Sequence, residues 1–257
     1  MGPFARYPSL QGRVVFLTGG SSGMGADMVA HFAAQGARVG FVGRNAKAAA
    51  DVVRGCVEKG HPEPLFIQAD LRDIAALRAA IAQTQETLGA IRVLVNNAAD
   101  DERHDWKTLT PEAWDERLQV NLRHQFFAIQ AVAPLMKAAG GGSIINLGSI
   151  SWMNKEPGMV AYTTSKAAIQ GLTRTMARAL GPDEIRVNCV VPGWIITQRQ
   201  IDKWLTPQAQ ADTLAAQCLK RMLSPPEISR MVLFLAADDS SACTSQSYVV
   251  DGGWAGL

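Results

Sequence analysis

From Arg13 onward the chain alternates short apolar runs rich in β-branched residues with longer stretches whose apolar positions recur at helical spacing. VVFL at 14–17, RVGFV at 38–42, LFIQ at 65–68, IRVLV at 91–95, SIINL at 143–147, IRVNCVV at 185–191 and SYVV at 247–250 predict strands. Between them, 23–35 and 46–58 read as helices, and Ile74, Leu77, Ile81 and Leu88 mark one face of a third through 73–88. Strands that are apolar throughout are those buried on both faces, which is the condition of a parallel sheet. Right-handed β-α-β crossovers then place helices on both sides, so the predicted fold is α/β, a doubly wound parallel sheet of about seven strands. No repeat, linker or low-complexity tract divides residues 1–257, and a single domain is expected. The rhythm breaks only from Thr197 to Pro226, a polar, helix-prone insertion holding Trp204. Such an insertion beside a site is expected to serve as a substrate lid.

Composition narrows the partners. With 257 residues and 47% apolar composition the chain can bury one large core. A net charge of +2 without a basic run of five residues argues against nucleic acid and against an anionic membrane. Cys56, Cys189, Cys218 and Cys243 are scattered with no C-x-x-C pair, so no metal site and no disulfide framework is expected. Free thiols fit a reducing compartment. No run approaches 18 apolar residues and the N-terminus lacks an apolar leader segment, so a cytoplasmic protein is expected.

The first strand ends in TGGSSGMG and runs straight into a helix. Gly19, Gly23 and Gly25, with Ser21, Ser22 and Met24 between them, let backbone approach a pyrophosphate held at the helix N-terminus. In this position the loop predicts a Rossmann-like dinucleotide site. The same residues spell G-x-S-x-G, the nucleophile elbow of hydrolases, but every histidine (31, 61, 104 and 124) lies in the N-terminal half, where a triad would need one late in the chain. The second strand ends FVGRN, without the carboxylate that would bind a ribose 2′-hydroxyl. Gly43 leaves room and Arg44 can pair with a 2′-phosphate, so NADP is the preferred cofactor and NAD remains possible. Asp70 ends the third strand region, placed to accept from an adenine amine and one or two residues early for a helix cap. Asn97 ends the fourth, where its backbone or amide would meet the adenosine ribose.

The candidate chemistry lies in NLGSISWMNKEPGMVAYTTSK, from Asn146 to Lys166. Tyr162 and Lys166 stand four residues apart, hence on one helix face, and Ser149 follows the strand IINL at the edge where such sheets bind ligands. An ammonium beside a phenol favours the phenolate, so the expectation is a Tyr162 lowered toward a working range as an acid–base group.

Assembled in order, TGGSSGMG, Asp70, NNAA at 96–99, Asn121 in VNL, Ser149, YTTSK at 162–166 and PG at 192–193 resemble the classical short-chain dehydrogenases/reductases across nearly the whole chain. The resemblance implies Tyr162 as the acid/base, Lys166 lowering its pKa and holding the nicotinamide ribose, Ser149 bonding the reacting oxygen, and Asn121 holding a water in a relay to Lys166. It also implies cofactor contacts from Leu71, Ala98, Pro192, Gly193 and Ile195, and a homotetramer. Ala99 departs from the glycine common there. A narrower likeness, in NNAADDERHDW, WDERLQVNLRH, GSISW, VVPGWIITQRQ, QCLKRML and MVLFLAADDSSACT, is to bacterial sugar 1-dehydrogenases acting on aldoses such as L-arabinose, D-xylose or L-fucose. That implies oxidation of an aldose at C1, with Ser149, Ser151, Trp152, Asn154, Tyr162 and Trp194 as expected substrate contacts and the loop 100–106 near them. A polyol suits such polar walls, and indole rings cover the apolar face of a sugar. The alternatives are a reductase of another carbonyl (an oxoacyl thioester or a ketone) and a non-catalytic cofactor-sensing protein, which would be expected to lack one of Ser149, Tyr162 or Lys166.

Overall fold

A computed structural model describes residues 4–255. The apolar runs become β1 (Val14–Thr18), β2 (Arg38–Gly43), β3 (Leu65–Gln68), β4 (Ile91–Asn96), β5 (Gly142–Leu147), β6 (Ile185–Pro192) and β7 (Ser247–Val250). All seven pair in parallel, in the order β3-β2-β1-β4-β5-β6-β7. Every residue of β1 is buried, as a strand covered on both faces must be. Alternation along it feeds two cores. Val15 and Leu17 join Met28, Phe32, Phe41 and Val232 on one side, while Phe16 joins Val42, Leu77, Ile81 and Ile129 on the other. Each such buried side chain contributes roughly 1.5–3 kcal/mol, so the sheet is held from both faces.

The helices are α1 (Gly23–Ala34), α2 (Ala46–Val57), α3 (Ile74–Leu88), α4 (Pro111–Leu118), α5 (His124–Ala138), α6 (Val160–Leu180), α7 (Gln198–Lys203), α8 (Pro207–Ala216) and α9 (Pro225–Ala236). Their starts are written in the sequence. Asn45 caps α2 through Ala48 N–H, Asp73 caps α3 through Ala75 and Ala76 N–H, and Ser224 with Glu227 forms a capping box on α9. Because Asp73 does the capping, Asp70 is left for the crevice. The strand order reverses between β1 and β4, and ligands of open α/β sheets bind at the carboxyl ends beside that point. The excursion expected over 197–226 forms α7 and α8, and it is tied at its base where Ile195 bridges Leu223, with Ile196 N–H donating to the Leu223 carbonyl at 2.8 Å. Among the described residues no helix is long and apolar enough to cross a membrane. Cys56 and Cys189 are buried free thiols, Cys243 is half-buried and Cys218 is exposed.

Candidate active site

The glycine loop is locked by its neighbour strand. The Thr18 hydroxyl accepts from Asn97 and Ala98 N–H at 3.0 and 3.1 Å, and the Asn97 amide donates back to the Thr18 and Gly19 carbonyls at 2.9 and 3.1 Å. Asn97 therefore braces the loop with the amide expected to meet a ribose. Gly25 has no room for a side chain, since a Cβ would sit 2.0 Å from the Gly19 carbonyl oxygen and 2.6 Å from Asn97 Nδ2. Ser22 occupies the N-cap of α1 in extended conformation but makes no side-chain cap bond, so first-turn N–H groups stay open to an anion. That is the cradle a pyrophosphate needs. No histidine bonds Ser21 among the described residues, and His104 is engaged with Glu102 and Ala161, so the hydrolase constellation is not assembled.

At the end of β2, a Cβ on Gly43 would lie 2.8 Å from Ser21 Oγ, which brings that hydroxyl beside Arg44. The Arg44 side chain is exposed and makes no ion pair among the described residues; only its carbonyl is bonded, by Gln68 Nε2 at 3.0 Å. Asp70 is gripped by Arg72 through Nη2 at 2.6 Å and Nε at 3.1 Å, and this pairing holds its carboxyl below the usual carboxylate range. Thus Asp70 enters the crevice as an anion with lone pairs to spare.

The glycine loop, Arg44, Asp70, Leu71, Ala98 and the Pro192–Ile195 turn line one continuous cavity of about 670 Å³ with Ser149, Tyr162 and Trp194. A cavity of this size suits a cofactor and a small substrate together. Ser149 leaves the end of β5 and accepts from Ser151 N–H at 3.1 Å, capping the short turn Ile150–Trp152. Tyr162 lies in the first turn of α6, and Lys166 one turn on is 2% exposed. Its Nζ donates to the Leu147 carbonyl at 2.7 Å and lies 5.4 Å from the centre of the Tyr162 ring. Burial lowers the ammonium to about 8.

The tyrosine departs from expectation. Burial, then the Asp101 and Asp100 carboxylates, push the Tyr162 phenol above its ordinary value, and a hydrogen bond with Ser149 offsets only part of this. The physical reason is that desolvation and the two acidic neighbours favour the neutral phenol. Asn121 is fully buried in a π-helical turn, Gln119–Arg123, between α4 and α5. Its Oδ1 accepts from Asp100 N–H at 2.8 Å, and its Nδ2 donates to the Asp100 and Arg117 carbonyls at 3.1 and 2.9 Å. It clamps the start of the acidic loop. His124, the first residue of α5, is fully buried, and burial together with the Lys166 ammonium lowers it to about 3, so it is neutral.

The remaining wall comes from the expected lid. Arg199 on α7 reaches Asp101 at 3.1 Å, Asp100 at 3.0 Å and Glu102 at 2.9 Å. Gln200 donates to Asp101 at 2.7 Å and accepts from Trp194 Nε1 at 2.7 Å, while Arg103 stacks 4.6 Å from the Trp204 ring centre. Of the expected substrate residues, Ser151, Asn154 and Trp194 line the cavity with Ser149 and Tyr162. Trp152 is not brought to it: the turn sends Ile150 inward and leaves Trp152 36% exposed. Trp106, on the loop 100–106, is 68% exposed, whereas Asp101 and Arg103 of that loop face the cavity. Asp101 belongs to the loop expected there, and Thr197, Arg199 and Gln200 to the expected lid, although none of these was singled out individually; Trp254 lines the cavity without having been expected to.

The chain is similar to known proteins over most of its length. Residues 19–255 match the family model described as enoyl-(acyl carrier protein) reductase. A probable galactose dehydrogenase of Rhizobium meliloti is 49% identical over 251 residues, covering 98% of each chain. The D-xylose 1-dehydrogenase of Caulobacter vibrioides is 48% identical over 254 residues, covering 97% of this chain and 98% of that protein. Among solved structures, a 3-oxoacyl-[acyl-carrier protein] reductase from Brucella melitensis with bound NAD superposes with a TM-score of 0.89 at 30% identity, over 98% of this chain and 94% of that one.

Proposed function

The chain belongs to the short-chain dehydrogenase/reductase family, whose members are oxidoreductases that use NAD(P), and from that premise we propose that it oxidises an aldose at C1 to the aldonolactone. The substrate is a pentose such as L-arabinose or D-xylose, or a related sugar, and NADP is the preferred cofactor with NAD admissible. The observation that carries the reading is the lining of the cavity that holds Tyr162, to which Ser151, Asn154, Asp101 and Gln200 contribute together with Trp194 and Trp204. Several hydrogen-bonding groups and two indoles in one pocket match a ring sugar better than an apolar ketone. The two sugar dehydrogenases that share nearly half their residues with this chain point the same way.

The cradle at Gly19, Ser22 and Gly25 would hold the pyrophosphate, and Arg44 with Ser21 would face the 2′-phosphate. The chemistry that the oxidised nicotinamide supplies when bound is acceptance of a hydride from C1. Tyr162 Oη, as phenolate, takes the proton of the anomeric hydroxyl while Ser149 Oγ bonds the same oxygen. The C1–H pair and the O–H proton leave together, and C1 becomes the carbonyl of the lactone. Hydrolysis of the lactone then draws the reaction toward oxidation. The family resemblance also supports a homotetramer as the working assembly, which sedimentation of the purified protein tests.

A panel of aldoses with each cofactor, followed by absorbance of the reduced nicotinamide, should show pentoses exceeding simple alcohols by orders of magnitude. An enzyme that ignored every aldose yet reduced an acetoacetyl thioester or a steroid ketone briskly would overturn the substrate reading. For the cofactor, Arg44→Ala should raise KM for NADP about ten- to a hundredfold, the worth of one charge-assisted contact. KM for NAD should hardly move. Equal effects on both cofactors would mean that Arg44 does not face a 2′-phosphate.

A further inference from the structure

We propose that Arg199 is a positioning residue for the reaction: seated on Asp100 and Asp101, it shields the catalytic phenol from both carboxylates, so that docking of α7 over the pocket also readies the base. This rests on the assignment of Tyr162 as the base. Three observations carry it. Asp101 lines the same cavity as Tyr162, on the side facing α7. Arg199 reaches both acids at once, with Nε on Asp101 at 3.1 Å and Nη2 on Asp100 at 3.0 Å, and extends to Glu102 at 2.9 Å. Asn121 holds the backbone of the acidic loop through both the N–H and the carbonyl of Asp100, so the loop that carries the carboxylates is anchored independently of α7.

The electrostatics follow from that arrangement. Asp101 and Asp100 are the charged groups that push the Tyr162 phenol upward. The other groups facing the Tyr162–Lys166 pair are Ser149 after β5, Lys166 itself on α6, the neutral His124 of α5, and Cys189 on β6, whose thiol burial raises to about 11. None of these stands on α7. Arg199 does, and it is the cation that faces both acids. With α7 docked, the two carboxylates are paired and their field on the phenol is weakened. With α7 lifted, they act on it unshielded and hold the proton on. A phenol that ionises readily only beneath a closed roof keeps its proton in the open pocket.

The test reads Tyr162 directly. In protein labelled at tyrosine Cζ with carbon-13, the Tyr162 resonance is identified by its loss in Tyr162→Phe, and the remaining tyrosines, Tyr7 and Tyr248, serve as internal references. In Arg199→Gln, Tyr162 should ionise at a pH at least about half a unit higher than in wild type, and kcat for an oxidised aldose, measured below its pH midpoint, should fall about threefold or more. The triple change Asp100→Asn, Asp101→Asn, Arg199→Gln should remove that displacement. Lys203→Gln, which removes only the second cation on Glu102 and leaves Arg199 seated on Asp100 and Asp101, should leave the midpoint in place. Arg199 is 44% exposed, so its loss leaves the fold intact. An Arg199→Gln protein whose Tyr162 titrates as in wild type, or a displacement that persists without the two aspartates, would overturn the proposal. Because the resonance is followed without substrate, a wild type inactive on every aldose would sink the substrate reading and leave this one standing.

Discussion

Tyr162→Phe should leave a folded protein that still binds its cofactor and turns over about 10²–10⁴-fold more slowly, the usual worth of a general acid–base group. The change removes one hydroxyl and keeps the ring. That ring packs in the first turn of α6 under the Lys166 ammonium, and the hydroxyl's recorded partner is Ser149. The thermal midpoint should therefore hardly move, and titration with NADP followed by protein fluorescence should give an unchanged Kd. The wild type, in turn, should show kcat rising with pH toward a plateau, because the phenolate is the working form and burial with Asp101 and Asp100 holds the proton on at neutral pH. The Phe variant should lose that rise. A variant within threefold of wild type would assign the base elsewhere, and one that melted early would show that the hydroxyl is structural.

The sheet was legible because its signal is local. Seven largely apolar runs predicted seven strands to within one or two residues, since the central strands are buried almost throughout. Tyr162 and Lys166 were equally readable, a face shared at a spacing of four. The roof was not. Arg199 meets its three acids 97 to 99 residues back in the chain, and only tertiary packing brings them together. The same limit misplaced the phenol's ionisation: the helical neighbour Lys166 was visible in the sequence, whereas the burial of the phenol and the opposing field of Asp101 were not. Trp152 shows a finer failure. Its position beside Ser149 put it at the correct edge, but a three-residue turn decided that Ile150, not the indole, points inward. The π-helical turn at Gln119–Arg123 left no compositional mark, yet it sets the side chain of Asn121 against Asp100. Such turns recur at functional sites. Asn97 lines the cavity where it was expected, and its amide also braces the glycine loop, a second task that the residue type alone does not reveal.

Lys166→Met should give a protein that is more stable at neutral pH and far less active. The two effects have one origin. Lys166 is 2% exposed and, among the described residues, has one carbonyl as its hydrogen-bond partner and no carboxylate paired to it. Its ammonium titrates at about 8 in the fold against 10.5 for the ordinary side chain. The unfolded chain thus binds the proton more tightly, and burying the charged form costs about 3 kcal/mol, fully felt below the folded value and fading as pH rises toward the unfolded one. Methionine fills similar space without the charge, but it gives up the charge-assisted bond to Leu147, worth about 1–3 kcal/mol. The net gain at pH 7 should reach about 2 kcal/mol, a rise in Tm of several degrees for a chain of this size. Denaturation at pH 7, 8.5 and 9.5 should show the advantage of the variant shrinking as pH rises, because only the wild type sheds the buried proton. Activity should move the other way. A cation 5.4 Å from the Tyr162 ring favours the phenolate by about 3 kcal/mol at an effective dielectric of about 20, so its loss should lower kcat about a hundredfold. Strain tolerated at a buried charge is what such a site exchanges for chemistry. A Lys166→Met protein less stable than wild type at pH 7 would mean that the Leu147 contact outweighs the buried charge, and that Lys166 is held there for the fold as much as for the phenol.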